Sequence, residues 1–282
     1  MKRRITVQLI EDYKKHLYME EKSKATIEKY ASDLTKLMNY AGSRNIDKEL
    51  MIKYKEYLIY DRNYKVSSAN SYIVAANRFF EYMKWYDVKI KTYKVQQETF
   101  CPENKYLSKS EYRRLIKTAL NNKKVRLAMI IQTIGATGIR ISELSAVTVE
   151  SVKKGVLIIN NKGKIRKVLL PTDLQKSLLL YIHEMKIKGG AVFCTKNGNV
   201  VNRSNVWSEM KALCKDAHVD KSKVFPHNLR HLFARTFYNV KKDIAKLADV
   251  LGHSSIETTR IYVRSSSKEY KKQLEQMEMV VI

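Results

Sequence analysis

Three cysteines in 282 residues are too few and too scattered to organise a fold. Cys101, Cys194 and Cys214 show no C-x-x-C spacing, and their odd number argues against a disulfide framework. They read as reduced, mostly packed thiols of a cytoplasmic protein. No apolar run approaches membrane-spanning length, and the opening Met1-Lys2-Arg3-Arg4 lacks the apolar segment of a secretory signal. Negative charge is scarce as well. Against 54 Lys+Arg stand only 28 Asp+Glu, a formal net charge of +26. That excess points to an extended polyanion as partner, nucleic acid before membrane. It is spread over the chain: residues 1–95 hold 20 basic against 12 acidic residues, and residues 96–282 hold 34 against 16. Both halves are expected to touch the polyanion. A hydrophobic content of 44% supports a real core, and the length favours two domains.

The first domain is expected over residues 1–86, as four helices. Apolar residues recur at helical spacing over Val7–Met19 and again from Ser23 towards Gly42. The third helix is read over Lys48–Tyr60, and the fourth starts near Ser67-Ser68 and carries Ile73, Ala76, Phe79 and Phe80. The connections are short, as in a compact bundle. Aromatic residues at this spacing are read as core; the lysines of the polar faces include phosphate contacts. Residues 87–106, with Pro102, break the pattern and read as a linker. Through it, two basic domains could close around a duplex as a clamp.

The second domain is expected over residues 107–282. Ser108 with Glu111 forms a helix-start signal, and an apolar helix over Arg126–Gly135 ends at Gly138. Arg140 then stands at a helix opening beside a glycine turn, where a phosphate can approach the backbone. Glu143, one turn on, either orients that guanidinium or forms an ordinary surface ion pair. A β-hairpin follows, Lys154–Asn160 and Ile165–Leu170 around the turn at Lys162, closed by Pro171. Its Lys162, Lys164, Arg166 and Lys167 are open to two readings, a ribbon laid along a groove or a solvated basic hairpin. Leu174–Lys186 reads as a helix, Ala191–Cys194 as a short strand, and Arg203–Ala217 as a helix without special chemistry.

The stretch from Pro226 to Tyr262 carries the chemistry. It holds Pro226-His227-Asn228-Leu229-Arg230-His231, then Leu251-Gly252-His253-Ser254, then Thr258-Thr259-Arg260-Ile261-Tyr262. Arginine clamps phosphate oxygens in a planar fork, histidine moves protons near neutral pH, and tyrosine can attack phosphorus. That is a phosphodiester site in outline, with neither metal nor cofactor expected. His231, next to Arg230, is read as pointing away from it.

Taken in order with Ala136-Thr137-Gly138-Ile139-Arg140-Ile141-Ser142-Glu143-Leu144, these strings resemble the tyrosine recombinases of the phage-integrase and Xer type. The resemblance covers most of residues 107–265. In the first domain, Thr26-Ile27-Glu28-Lys29-Tyr30-Ala31-Ser32-Asp33-Leu34 and Phe79-Phe80-Glu81-Tyr82 resemble the family's SAM-like core-binding domain.

The implied fold is mainly α with a small β-hairpin, an N-terminal bundle plus a mixed α+β catalytic domain. The resemblance implies a chain that starts directly with the bundle, without the arm-binding domain expected of larger integrases. The implied activity is site-specific recombination, cutting and rejoining double-stranded DNA through a 3′-phosphotyrosine. Tyr262 would be the nucleophile and His227 its base, with His253 supporting by hydrogen bonding. Arg140 and Arg230 would hold the non-bridging oxygens, Glu143 would support, and Lys162 would protonate the leaving 5′-oxygen, with Lys164 and Lys167 as rivals on the same hairpin. Implied partners are inverted DNA half-sites, a homodimer on each site and a homotetramer in synapsis. The tail, residues 265–282, ends in apolar Met279-Val280-Val281-Ile282 and would dock on a neighbouring protomer. Two other activities fit the same residues: sequence-specific DNA binding without catalysis, and relaxation of DNA by a type IB topoisomerase.

Overall fold

A computed structural model describes residues 3–94, 105–161, 164–195, 198–264, 267–277 and 279. The chain divides into two compact units, Met1–Gln97 and Glu98–Ile282. It is mostly helical with a two-stranded sheet, as expected.

The first unit is built from α1 (Val7–Met19), α2 (Lys24–Ala41), α3 (Lys48–Tyr60) and α4 (Val66–Tyr82). Local chemistry sets the helix ends. Thr6, Ser23 and Asp47 each accept a backbone N–H of the first turn, and Gly42 ends α2 at a positive φ of 57°. The fourth helix, expected to start near Ser67-Ser68, starts at Val66, after Lys65, with no side-chain cap. Leu34, Met51, Tyr54, Ile73, Phe79 and Phe80 fill the core. The aromatics at helical spacing are therefore packing residues. Beyond residue 86 the described chain stays on the bundle. Asn77 exchanges two hydrogen bonds with the Ile90 backbone, Asn70 does the same with Tyr93, and Val88 and Ile90 are buried.

The second unit is organised around α6 (Val125–Thr137), whose Leu127, Ala128, Ile130, Ile131 and Ile134 are all buried. A helix apolar on every side must be covered on every side. It packs against α5 (Lys109–Asn121), α8 (Thr172–Glu184), α9 (Arg203–Ala212) and α10 (Pro226–Lys241). Ser108 and Glu111 close a reciprocal capping box on α5, as their spacing predicts. After α6 come a 3-10 turn over Ile141–Ala146 and a short α7 (Val149–Lys154). Strands β1 (Val156–Asn161) and β2 (Lys164–Leu169) then pair antiparallel. Ala191–Cys194 is not a strand. It makes isolated bridges, Ala191 with Thr148 and Cys194 with Val200, because no neighbouring strand extends the pairing.

Hairpin register separates two faces. Leu157, Ile159 and Val168 face the core, whereas Ile158, Ile165 and Leu169 are exposed. Arg166 pairs with Ile159 and so belongs to the inner face; Lys167 pairs with Ile158 on the outer face and is exposed. Past α10 lie α11 (Ile244–Leu251), α12 (Ile256–Val263) and α13 (Ser267–Glu275). A separate small core of Ala234, Leu247, Leu251 and Tyr262, with Phe233 and Phe237 against it, joins α10, α11 and α12. The first half of α10 is thus anchored in the main core through Leu229, and its second half carries α12. That arrangement brings the end of α12 beside the start of α10.

Candidate active site

Arg140, Glu143, His227, Arg230, His253 and Tyr262 converge in the second unit. Lys162 lies outside the described residues, and the side chain of Lys164 is not described. Each of the converging residues is placed by a helix end. Pro226 opens α10 at a position where its missing N–H costs nothing, so His227, Arg230 and His231 fall in the first two turns. Arg140 caps the 3-10 turn, just after Gly138 ends α6 in the left-handed conformation. Gly138 cannot be replaced cheaply: a Cβ there would sit 2.4 Å from the Phe233 ring. Gly252 ends α11 in the same way, and His253 follows it.

Arg230 is the central group. It is 1% exposed, yet no carboxylate pairs with it among the described residues. It donates instead to the carbonyls of Gly138 (2.5 Å) and Leu251 (2.6 Å), the last turns of α6 and α11. Helix C-termini carry partial negative charge, enough to hold a guanidinium without neutralising it. Burial, and next the repulsion of Arg140, bring it down to about 10, so it stays charged at neutral pH. Its second amino group also donates to His253 Nε2 at 3.0 Å.

That contact decides the tautomer of His253. A guanidinium has donors only, so Nε2 must accept, and Nδ1 carries the hydrogen. Nδ1 donates to the buried Thr259 hydroxyl at 2.9 Å. Burial, followed by Arg230, Arg140 and Arg166, pushes His253 down to about 4, in keeping with a neutral ring.

Tyr262, 6% exposed, places its hydroxyl 3.4 Å from His227 Nε2, in position to donate a proton to it. Burial and the charges of Arg230 and Arg140 hold His227 below the usual histidine range, so it is a free base at neutral pH. His231 turns towards Tyr262 and His227. Four residues from His227, it lies on the same side of α10, with its ring 4.2 Å from the Tyr262 ring and 4.9 Å from that of His227. Buried among these, and next to His227, it is pushed down to about 3.

Glu143, 6% exposed, is not a surface partner. It takes the Arg140 backbone N–H (2.7 Å) and guanidinium (3.0 Å), and two further bonds from Arg166 (3.0 and 2.8 Å). Burial opposes its charge, but the hydrogen bonds from Arg166 and Arg140 outweigh it and hold the carboxyl below the usual range. Beside Arg140, His227 and Arg230 opens a pocket of about 540 Å³, rimmed by Arg203, Trp207 and Lys211 of α9. Among the described residues, no three His, Cys, Asp or Glu side chains gather as metal ligands. No described helix is long and apolar enough to cross a membrane.

Four features were not assigned their place in the site from the sequence. Arg166 was one basic residue among several; the alternation placing it beside Leu157 and Ile159 was its only signal. His231 had the i, i+4 spacing from His227. Thr259 stood inside the Thr-Thr pair, and the α9 cations lay in a helix with no motif.

The buried histidines set an acid limit. Unfolded imidazoles titrate near 6.5, whereas His231 and His253 titrate at about 3 and about 4 in the folded chain. Below pH ~6.5 the unfolded chain takes up protons that the folded chain refuses. Stability is full above that pH and falls towards pH ~4, by about 1.4 kcal/mol per pH unit for each histidine. Urea midpoints of the second unit at pH 7.5 and 5.5 measure this; a midpoint that holds or rises on acidification contradicts it.

Residues 105–269 match the model of the phage integrase family, and residues 10–87 match that of the phage integrase N-terminal SAM-like domain. The tyrosine recombinase XerA of Pyrococcus furiosus is 26% identical over 280 residues, 97% of this chain and 95% of its own. Among solved structures, the XerH site-specific recombinase bound to palindromic difH substrate, in a post-cleavage complex, aligns with a TM-score of 0.71 at 21% identity. That alignment covers 90% of this chain and 80% of the other. A lambda integrase tetramer bound to a Holliday junction aligns with a TM-score of 0.72 at 16% identity, over 90% of this chain and 76% of the other.

Proposed function

The chain belongs to the phage integrase family, tyrosine recombinases that cut and rejoin DNA at specific sites, and on that footing we propose that Tyr262 is its nucleophile. The Tyr262 oxygen attacks a scissile phosphorus and gives up its proton to His227 Nε2. A phosphotyrosine bond to the 3′ end forms, and the bond to the 5′-oxygen breaks. The leaving oxygen needs a proton, and the hairpin supplies it. Lys162 is the first candidate and Lys164 the second; Lys167 is set aside because it sits on the outer face of the sheet. Arg230 and Arg140 take the non-bridging oxygens, where charge grows towards the transition state. His253, fixed by Arg230 and Thr259, supports them. Rejoining runs the same steps backwards. The covalent bond keeps the energy of the one it replaced, so no nucleotide is consumed.

One observation carries this reading. A buried guanidinium, held by carbonyls and left unneutralised, lines one pocket with His227, and the Tyr262 hydroxyl faces that neutral histidine. A site so arranged has a place for an anion and a nucleophile to attack it.

A duplex nicked beside the cleavage point, so that the freed end diffuses away, traps the intermediate. The expected result is a covalent protein–DNA adduct whose peptide, identified by mass spectrometry, contains Tyr262. Tight binding to a preferred site without any adduct would leave a non-catalytic DNA-binding protein. Relaxation of any supercoiled plasmid without sequence preference would leave a topoisomerase.

The same reading gives the partners: DNA with inverted half-sites, a homodimer on each site and a homotetramer in synapsis, in the cytoplasm. The palindromic substrate of XerH and the lambda integrase tetramer support it by likeness. The tail over residues 265–282 is the proposed link between protomers, since Leu274, Met277 and Met279 are exposed apolar side chains. Removing residues 268–282 is expected to leave binding to a single half-site within about 2-fold while abolishing paired-site complexes in gel-shift assays. Unchanged pairing by the truncated chain refutes the link.

A further inference from the structure

Arg166 touches two parts of the site, Glu143 and the turn at Gly252, and has been given no task. It stands in β2 on the inner face of the hairpin, where the neighbouring positions are apolar. A guanidinium there is costly to bury, so its contacts must compensate. It meets Glu143 fork to fork, Nη1 to Oε1 at 3.0 Å and Nη2 to Oε2 at 2.8 Å. It also lies directly under the turn that carries His253. A Cβ on Gly252 would be 2.7 Å from Arg166 Cδ and 2.8 Å from Nη1. The positive φ of 65° favours glycine there, and any larger residue would displace Arg166. Among the described residues, Arg166 Nε is buried with no partner.

Charge explains what the placement achieves. Each Glu143 oxygen accepts twice, once from Arg140 and once from Arg166. One carboxylate is thus shared between two guanidinium groups. Without Arg166, Glu143 would pair with Arg140 alone, and a one-to-one ion pair competes with a phosphate for that guanidinium. With Arg166 present, Arg140 is oriented by Glu143 while much of its charge stays available.

We propose that Arg166 is a positioning residue of the recombination reaction: it draws Glu143 off Arg140 and locks the hairpin, Arg140 and the Gly252–His253 turn into one geometry. The inference rests on the reading above that Arg140 and His253 face the scissile phosphate. The effect passes through Glu143, so the two residues form one unit rather than two separate contributors.

The test is single-turnover cleavage of the nicked duplex by Arg166→Ala, Arg166→Lys, Glu143→Gln and the double variant Arg166→Ala/Glu143→Gln. Misplacement of this kind costs about 10- to 100-fold in the chemical step, and the expected loss in Arg166→Ala falls in that range with half-site affinity within about 2-fold of the parent. Arg166→Lys keeps one charge without the fork and is expected to fold, yet to recover only part of the rate. The double variant is expected to cleave no more slowly than Arg166→Ala alone, because no carboxylate remains to sequester Arg140. A neutral methylphosphonate at the scissile position needs no charge compensation, so on that substrate the Arg166→Ala defect should shrink to within about 3-fold.

A purely structural role would give additive losses and an unchanged defect on methylphosphonate, and either result overturns the proposal. So does parental cleavage by Arg166→Lys and Arg166→Ala. An Arg140→Ala control keeps the two readings apart. If it cleaves the ordinary phosphate at the parental rate, the reading of the site has failed; if only the Arg166 variants do, the further inference alone has failed.

Discussion

Tyr262→Phe should bind its DNA site as well as the parent and fail to cut it. The substitution removes a single oxygen, which lies 3.4 Å from His227 Nε2 and interacts with the Arg230 guanidinium. The ring keeps its stacking on His231 at 4.2 Å and its place in the small core with Leu247 and Leu251. Stability should change by less than about 1 kcal/mol, the net value of an ordinary hydrogen bond. Cleavage should fall by more than about 10⁴-fold, the scale on which loss of an activated nucleophile acts. Gel shift, thermal melting and adduct formation on the nicked duplex give the three readouts. Adduct persisting in the variant would move the nucleophile elsewhere, and Tyr270 would then be the first residue to replace.

Arg230 should prove costly in two ways that can be separated. In Arg230→Ala, the carbonyls of Gly138 and Leu251 lose their buried donor and His253 Nε2 loses its own. Unsatisfied buried acceptors of this kind cost on the order of 2–4 kcal/mol together. Urea unfolding of the second unit should show that loss. Arg230→Lys keeps a positive charge but has no planar fork, so it cannot serve two carbonyls, a ring nitrogen and a phosphate together. It should recover most of the stability and little of the activity, with cleavage still down by about 10²- to 10³-fold, the range for loss of a charge-stabilising donor. A lysine variant with near-parental cleavage would show that charge alone suffices and that the fork geometry is unimportant.

Much of this could be read from the residues in order. The helix starts at Ser23 and Ser108 are local chemistry, since each cap lies within three residues of the N–H it satisfies. The same holds for the Pro226 start and the glycine stops at Gly138 and Gly252. The residue types of the candidate site were legible for a related reason. Phosphoryl chemistry admits few side chains, and the strings around Arg140, Arg230, His253 and Tyr262 carry them in order.

Where the reading went astray, the deciding contact lay far off in the chain. His231 was read as facing away from Arg230, which is right for neighbours on a helix. What it faces instead is Tyr262, 31 residues on, and only the α10–α12 packing could place it there. Ala191–Cys194 had strand composition, but a strand requires a partner, and composition does not provide one. Arg166 looked like one more solvated cation until strand register turned it inward against Glu143, 23 residues earlier.

By itself, then, the sequence determined the local elements, the demand for a polyanion and the kinds of chemistry available. Each of those depends on interactions within a few residues or on simple composition. The tertiary structure decided which charges are neutralised and which stay available, and therefore what the site can do. Arg230 is held by the ends of two helices, Arg140 shares its carboxylate with Arg166, and Tyr262 meets an uncharged base. Charge balance in a buried site depends on distance and burial, and the order of residues along a chain specifies neither until the chain is packed.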